Sequence, residues 1–427
     1  QQDTVNRLGI PGLGFIDEER RVYPHGRLAA HVVGFTGIDH EGLAGIEKGL
    51  DESLVAGNDV ALSIDIRVQH ALRAELMASV EEFQAIGAAA IVMDAHSGEI
   101  LGMVSLPDFD PNVPGTASDD AIFNRATKGV YEMGSTFKLF TAAMALDAGT
   151  VQLDGGYDAS EPITVARHTI SDYHGKNRWL SVPEILIHSS NIGAAKMALD
   201  VGTERQKSYL QDLGLLSSAE IELPEIGKPL LPSRWREINT MTISFGHGIA
   251  VSPLQLASGV ATLVNGGLRH PATILQRNFD ETVPSTRVID ESTSSSMRGL
   301  MRLVVKYGTG KNAEAEGYMI GGKTGTADKL IDGRYSHNKR MASFVGAFPI
   351  KQPRYVVLVI VDEPVGIERT FNYATGGWVA APIVSRIVSR MGPLLGMLPE
   401  TLVASNNNEK PNPDGFMKTW ERTFEAR

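Results

Sequence analysis

The chain has 427 residues, 42% of them hydrophobic and 21% charged, which is enough apolar material for a sizeable core. Its formal net charge of −10 argues against broad nucleic-acid binding, which leaves a basic footprint. The absence of cysteine excludes a thiol nucleophile, a cysteine-ligated zinc site and any disulfide.

The chain begins Gln1-Gln2 without methionine or a signal peptide, as a trimmed or processed form would. No apolar run approaches the roughly eighteen residues a spanning helix needs, and Tyr355 to Val361 is the longest strong one. Residues 1–57 are rich in glycine turn signals and hold no sustained helical stripe, so they read as a small irregular domain or extended arm. From Asn58 the character changes. Ala61-Leu62-Ser63-Ile64 reads as a short strand and Asp65 as an N-cap. Leu72, Leu76, Val80 and Phe83 then mark an amphipathic helix. Two apolar strands, 88–93 and 100–104, flank the turn-forming Asp94 to Glu99 and predict a hairpin.

Residues 106–318 read as mainly helical, with helices at 137–148, 183–200, 204–213, 253–264 and 293–306, and with Gly149 and Gly214 as stops. Strands return at Tyr318–Gly325, Met341–Phe348 and Tyr355–Val361. A final helix from Val379 to Met391 is expected to end at Gly392-Pro393, and the polar stretch from about Glu400 reads as disordered. Strands, a helical insert and strands again predict an α+β fold. One antiparallel sheet carries helices on its faces, and a helical lobe stands beside it. A cleft between lobe and sheet is the expected place for a site.

Three short patterns carry chemistry. Ser135-Thr136-Phe137-Lys138 opens an apolar helix, and residues three apart share a helix face, so hydroxyl and amine can meet. A serine in the first turn also sits at the positive end of the helix dipole. Ser-x-x-Lys is weak alone, and it recurs at Ser336–Lys339 in a polar segment that reads as a turn with nothing to fix the geometry. The second pattern, Ser189-Ser190-Asn191, lies in apolar surroundings. Residues two apart diverge on a regular helix, so Ser189 and Asn191 enter one site only from a turn between helices. Thirdly, Lys323-Thr324-Gly325-Thr326 ends an apolar strand with a cation, two hydroxyls and a glycine. Such an edge can take an extended peptide and hold its carboxylate.

In this order the three patterns resemble the signature of penicillin-binding proteins and serine β-lactamases. The resemblance runs from about Arg20 to Pro399. Arg21-Val22-Tyr23-Pro24-His25-Gly26, Ala30 to Phe35 and Gly42 to Glu47 look like the N-terminal pedestal of class B penicillin-binding proteins. Ser244-Phe245-Gly246-His247-Gly248 through Gln255 is similar to their division-specific branch.

The resemblance implies a five-stranded antiparallel sheet with helical lobe over residues 58–399, a dimerisation-type pedestal remnant over 1–57 and a tail over 400–427. It implies a peptidoglycan D,D-transpeptidase with Ser135 as nucleophile and Lys138 as its base. Ser189 would relay the proton, assisted by Asn191 and Lys323, and Thr324, Gly325 and Thr326 would bind substrate or β-lactam. The backbone N–H groups of Ser135 and Thr326 would form the oxyanion hole. The implied partners are stem peptides, β-lactams and division-complex membrane proteins including a glycan polymerase. The implied location is the inner membrane, with one N-terminal anchor and the catalytic domain in the periplasm.

No cofactor, metal or nucleic acid is expected. His31 and His247 lack a second histidine at ligand spacing and read as packing residues. A D,D-carboxypeptidase, a serine β-lactamase and a penicilloylated sensor share the motifs and stay open as alternatives. Two features depart from the pattern. Met133 stands where the family usually has proline, and Leu54 to Asn58 is shorter than the corresponding stretch.

Overall fold

The computed structural model describes residues 2–15, 20–165, 168–278, 280, 282–331 and 333–399, so the expected tail lies outside the described residues. Five strands form the central sheet: β1 (Gly87–Asp94), β2 (Ile100–Leu106), β3 (Gly321–Ile331), β4 (Arg334–Phe348) and β5 (Tyr355–Asp362). Their spatial order is β3-β4-β5-β1-β2, and every neighbouring pair is antiparallel. Early and late strands therefore join through β1 and β5, as the strand–insert–strand pattern predicts.

Both faces of this sheet are covered, which explains its unbroken apolar runs. Ile91 and Met93 of β1, with Leu358 and Ile360 of β5, face the helical lobe. Ala90 and Val92, with Val357 and Val359, face the opposite layer. That layer is α1 (Ile66–Glu82) and the last helix. Leu72, Leu76 and Phe83 are buried there, and the Asp65 side chain caps α1 by accepting from Arg67 N at 2.9 Å. The strand expected at 61–64 reduces to one antiparallel bridge, Leu62 with Leu275, made by Ser63 N donating to Ile274 O and Gln276 N to Ala61 O.

The lobe is built from α2 (Lys138–Asp147), α3 (Val182–Ile187), α4 (Asn191–Val201), α5 (Pro253–Val264) and α6 (Glu291–Tyr307). The helix expected over 183–200 is two helices. Ser189 adopts a left-handed backbone, φ 58°, which ends α3 and lets Ser190 cap α4 by accepting from Gly193 N. The insert also contains short strand pairs that helical patterning missed, Gly156–Asp158 with Trp179–Ser181 and Ile163–Val165 with His168–Ile170. The last helix, α7 (Ala380–Leu394), runs through Gly392-Pro393 rather than ending there. The carbonyl that Pro393 leaves without an N–H partner belongs to Ser389, an exposed residue on the solvent side of the helix.

Residues 20–57 hold short helices and a two-stranded pair, and Val32 and Ile46 join the lobe-side core. His31 is buried, with Nε2 2.8 Å from Ala121 O and an edge-on contact to Phe109. Burial pushes its pKa down to about 4, so it packs as a neutral ring.

Candidate active site

Ser135 lies on a 3₁₀ turn, Gly134–Phe137, that leads directly into α2. With three residues per turn, Ser135 and Lys138 eclipse along one edge, closer than the α-helical spacing alone would set them. Lys138 Nζ is 3.0 Å from Ser135 Oγ. It also reaches Ser189 O at 2.6 Å, Ser189 Oγ at 3.1 Å and Asn191 Oδ1 at 2.7 Å. Lys323 Nζ closes the set, 3.0 Å from Ser189 Oγ and 3.1 Å from Thr324 O. Five of the residues singled out in the sequence thus form one hydrogen-bonded group. Met133 fills the entry position as a buried core residue, and its carbonyl accepts from Thr136 Oγ1 at 3.0 Å.

Each approach is fixed by a local feature. The left-handed Ser189 and the helix start at Asn191 turn both side chains toward Lys138, resolving the divergence of residues two apart. Gly134 has φ 55°, and a Cβ there would lie 2.7 Å from Thr326 O, so the serine turn sits directly against β3. On its other side, Gly134 N donates to Gly246 O. Among the described residues strand β3 has β4 as its one ladder partner, so its other edge lies unpaired at the side where the serine turn packs. Gly325 is equally required, since a Cβ would meet Ser343 Oγ at 2.3 Å and Met133 O at 2.6 Å. Thr326 Oγ1 accepts from Gly376 N at 3.0 Å, and Thr324 Oγ1 is 2.7 Å from Thr309 Oγ1.

Gly246 combines φ 79° with a built Cβ only 2.2 Å from Gly134 O. Gly246→Ala is therefore expected to cost about 2–4 kcal/mol from backbone strain plus overpacking, and to slow acylation by displacing Ser135. Calorimetric unfolding and β-lactam acylation rates read the two effects separately.

Lys138 and Lys323 are buried, and neither has a carboxylate among the hydrogen-bond partners of its Nζ. Burial, then the neighbouring Lys323 charge, hold Lys138 well below the ordinary lysine pKa, against a smaller opposing pull from Asp172. Burial lowers Lys323 to about 7. Neutral Lys138 has two hydrogens and a lone pair. Ser189 O and the Asn191 carbonyl oxygen can only accept, so they take the hydrogens and leave the lone pair for a hydroxyl.

The same shifts set a pH dependence of stability. Between the folded pKa of Lys323, about 7, and the unfolded value near 10.4, the unfolded chain binds more protons, so stability rises with pH. Lys323→Met is expected to make that rise shallower. Thermal midpoints measured from pH 7 to pH 10 test the sign.

Three functional contributors carry no sequence signal of the kind used above. The Asp172 carboxylate accepts from Ser190 Oγ (2.7 Å), Asn191 N (2.5 Å) and Ile192 N (3.0 Å), so it caps α4 from outside. Asn191 Nδ2 donates to Ser171 O at 3.0 Å, which orients its oxygen toward Lys138. Thr309 and Gly376 reach β3 from distant segments. The discarded Ser336–Lys339 match lies in strand β4, not in a turn. The ladder jumps there, from Asp328 opposite Arg340 to Lys329 opposite Ser336, and Lys339 instead pairs with Glu363.

Residues 88–389 match the family described as penicillin binding protein transpeptidase domain. The chain is 42% identical over 426 residues to the probable peptidoglycan D,D-transpeptidase FtsI of Caulobacter vibrioides, covering 96% of this chain and 72% of that protein. It is 32% identical over 437 residues to peptidoglycan D,D-transpeptidase FtsI of Escherichia coli K12, covering 95% and 73%. Among solved structures, the apo transpeptidase domain of Burkholderia pseudomallei penicillin-binding protein 3 aligns with TM-score 0.71 at 34% identity, over 79% of this chain and 97% of that one. Penicillin-binding protein 3 of Mycobacterium tuberculosis, solved with aztreonam, aligns with TM-score 0.80 at 26% identity, over 89% and 91%. With its three motifs converging on one buried-lysine cleft, this chain belongs to the class B penicillin-binding proteins, as an FtsI-like peptidoglycan D,D-transpeptidase.

Proposed function

We propose that Ser135 attacks the carbonyl joining the last two D-alanines of a stem peptide while Lys138 takes its proton. The bond to the terminal residue breaks, D-alanine leaves with a proton relayed through Ser189, and an ester to Ser135 Oγ remains. Thr324 and Thr326 bind the terminal carboxylate, with the positive field of Lys323 beneath it. The backbone N–H groups of Ser135 and Thr326 take the developing oxyanion, a role supported by the contact of Gly134 with Thr326 O. An amine of a second stem peptide then resolves the ester into a cross-link. β-Lactams acylate the same serine.

One observation carries this reading: Lys138 Nζ, buried beside a second amine, lies 3.0 Å from Ser135 Oγ. The lactamase alternative needs a carboxylate free to activate water. Asp172, the carboxylate hydrogen-bonded to the start of α4, is occupied by three donors. The direct test supplies a D-Ala-D-Ala-terminated donor and an amine acceptor, and follows products by mass spectrometry. D-Alanine release with an amide-linked product supports transpeptidation. Release with the hydrolysed acid alone, at any acceptor concentration, supports the carboxypeptidase instead.

The residue 1–57 segment acts in this reading as the pedestal of the catalytic domain at 58–399. The natural protein works in the periplasm from an inner-membrane anchor, beside division-complex membrane proteins including a glycan polymerase. No helix among the described residues is long and apolar enough to cross a membrane. Fractionation of cells producing the natural full-length protein tests that placement.

A further inference from the structure

The second half of the reaction poses an electrostatic problem. The acceptor is an amine, and a lysine-like amine arrives as an ammonium at neutral pH. The floor of the cleft holds two buried amines, Lys138 and Lys323, which suit a carboxylate-bearing donor and give a cationic acceptor no anionic partner. Asp172 offers little here, since both its oxygens are turned to the N-terminus of α4, on Ser190 Oγ, Asn191 N and Ile192 N, where the charge is balanced by the helix dipole.

A different carboxylate lies close to Ser135 in the chain. Glu132 precedes Ser135 by three residues, so their Cα atoms are at most about 10 Å apart. Its Oε1 accepts from Gly248 N at 2.8 Å, and Tyr335 OH donates to the carboxylate at 3.0 and 3.1 Å. Both donors are uncharged, and among the described residues Glu132 has no lysine, arginine or histidine at ion-pair distance. Its formal charge is therefore held in place and left unneutralised. The side chain is half-buried.

Its setting is rigid and joins three elements. Tyr335 comes from the outer end of the β3–β4 hairpin, Gly248 from the loop whose Gly246 packs on Gly134, and Glu132 from the segment that leads into the serine turn. The His247 ring backs Tyr335 edge-on at 5.8 Å. Burial, and then the Glu132 charge, raise the Tyr335 pKa, so the phenol stays a donor. A pre-oriented carboxylate attracts a cation within the roughly 8 Å over which salt leaves charges unscreened.

We propose that Glu132 docks the protonated acceptor amine through its charge, with Tyr335 and Gly248 as supports that the charge does not depend on. This rests on the transpeptidase reading. The ammonium gives one proton to the medium or to neutral Lys138, and its nitrogen then bonds to the acyl carbon. The bond from that carbon to Ser135 Oγ breaks, and a second nitrogen proton passes to Ser135 Oγ. One acyl-enzyme and one ammonium thus yield one amide, the free serine hydroxyl and one released proton.

The test uses the whole chain with a thioester acyl donor and two acceptors: glycinamide, a cationic primary amine, and hydroxylamine, which is uncharged near neutral pH. The readout is the ratio of the two transfer rates, which cancels any change in acylation. Glu132→Gln is expected to lower the ratio about three- to tenfold, the scale of one partly exposed charge pair. Added salt should lower the wild-type ratio and leave that of the variant unmoved. Glu132→Asp should keep most of the ratio, and so should Tyr335→Phe, which removes the strap but not the charge. An unchanged ratio in Glu132→Gln overturns the assignment. So does an equal fall in Tyr335→Phe, which would make the carboxylate a purely structural anchor. If wild-type protein acylates but transfers to neither acceptor, the transpeptidase reading itself fails and takes this one with it.

Discussion

Ser135→Ala is expected to remain folded and to gain no covalent adduct from any β-lactam, while D-alanine release from a donor peptide falls by about 10⁴-fold or more. The fold should tolerate it because Ser135 is half-exposed and its hydroxyl makes one hydrogen bond, to Lys138, worth about 1 kcal/mol. The chemistry should not, because the other hydroxyl against Lys138 is badly placed to substitute. Ser189 Oγ lies between Lys138 and Lys323, at 3.1 and 3.0 Å, on a left-handed residue wedged between α3 and α4. It also lacks the close strand contact that Gly134 gives Ser135 through Thr326 O. Intact mass of wild type and variant after β-lactam exposure decides the matter. An adduct on the alanine variant, mapped to Ser189, would move the nucleophile.

What the sequence made legible follows from how short-range each signal is. Ser135 and Lys138 were readable because three residues along any helical turn return to the same edge, whichever helix type forms. The five strands were readable because both sheet faces are buried, which writes continuous apolar runs such as Tyr355 to Val361. The two helices hidden in 183–200 were not. Apolar patterning continues across the break, and only Ser189, in a backbone region uncommon for serine, interrupts it. That break is the reason Ser189 and Asn191 face one lysine. Asp172, Thr309 and Gly376 were illegible for a different reason. Each acts through one contact across a large sequence separation, such as Gly376 N to Thr326 Oγ1, and nothing local in composition or period encodes such a contact. Ser336 shows the converse error. The polar stretch reads as a turn, whereas cross-strand pairing to β3 and ion pairs at the sheet end hold it extended.

Lys138→Met is expected to separate function from stability, with acylation falling about 10³- to 10⁴-fold while the fold becomes about 1 kcal/mol more stable. The loss follows from the lone-pair argument: without Lys138, no neutral amine faces the Ser135 hydroxyl, and Lys323 contacts Ser189 rather than Ser135. The gain follows from what the lysine endures. It is 1% exposed, stands beside a second buried amine, and bonds only uncharged oxygens. Methionine fills a similar volume with no amine to bury or neutralise. Two terms oppose the gain, since Ser189 O and Asn191 Oδ1 lose a donor. Asn191 is half-exposed at the cleft and can turn to water, while Ser189 Oγ keeps its bond from Lys323. Thermal unfolding and acylation rates measured on the same preparations give the two signs. If the variant is destabilised by several kcal/mol instead, the lysine is held as part of a structural network, and the expected separation of function from stability fails.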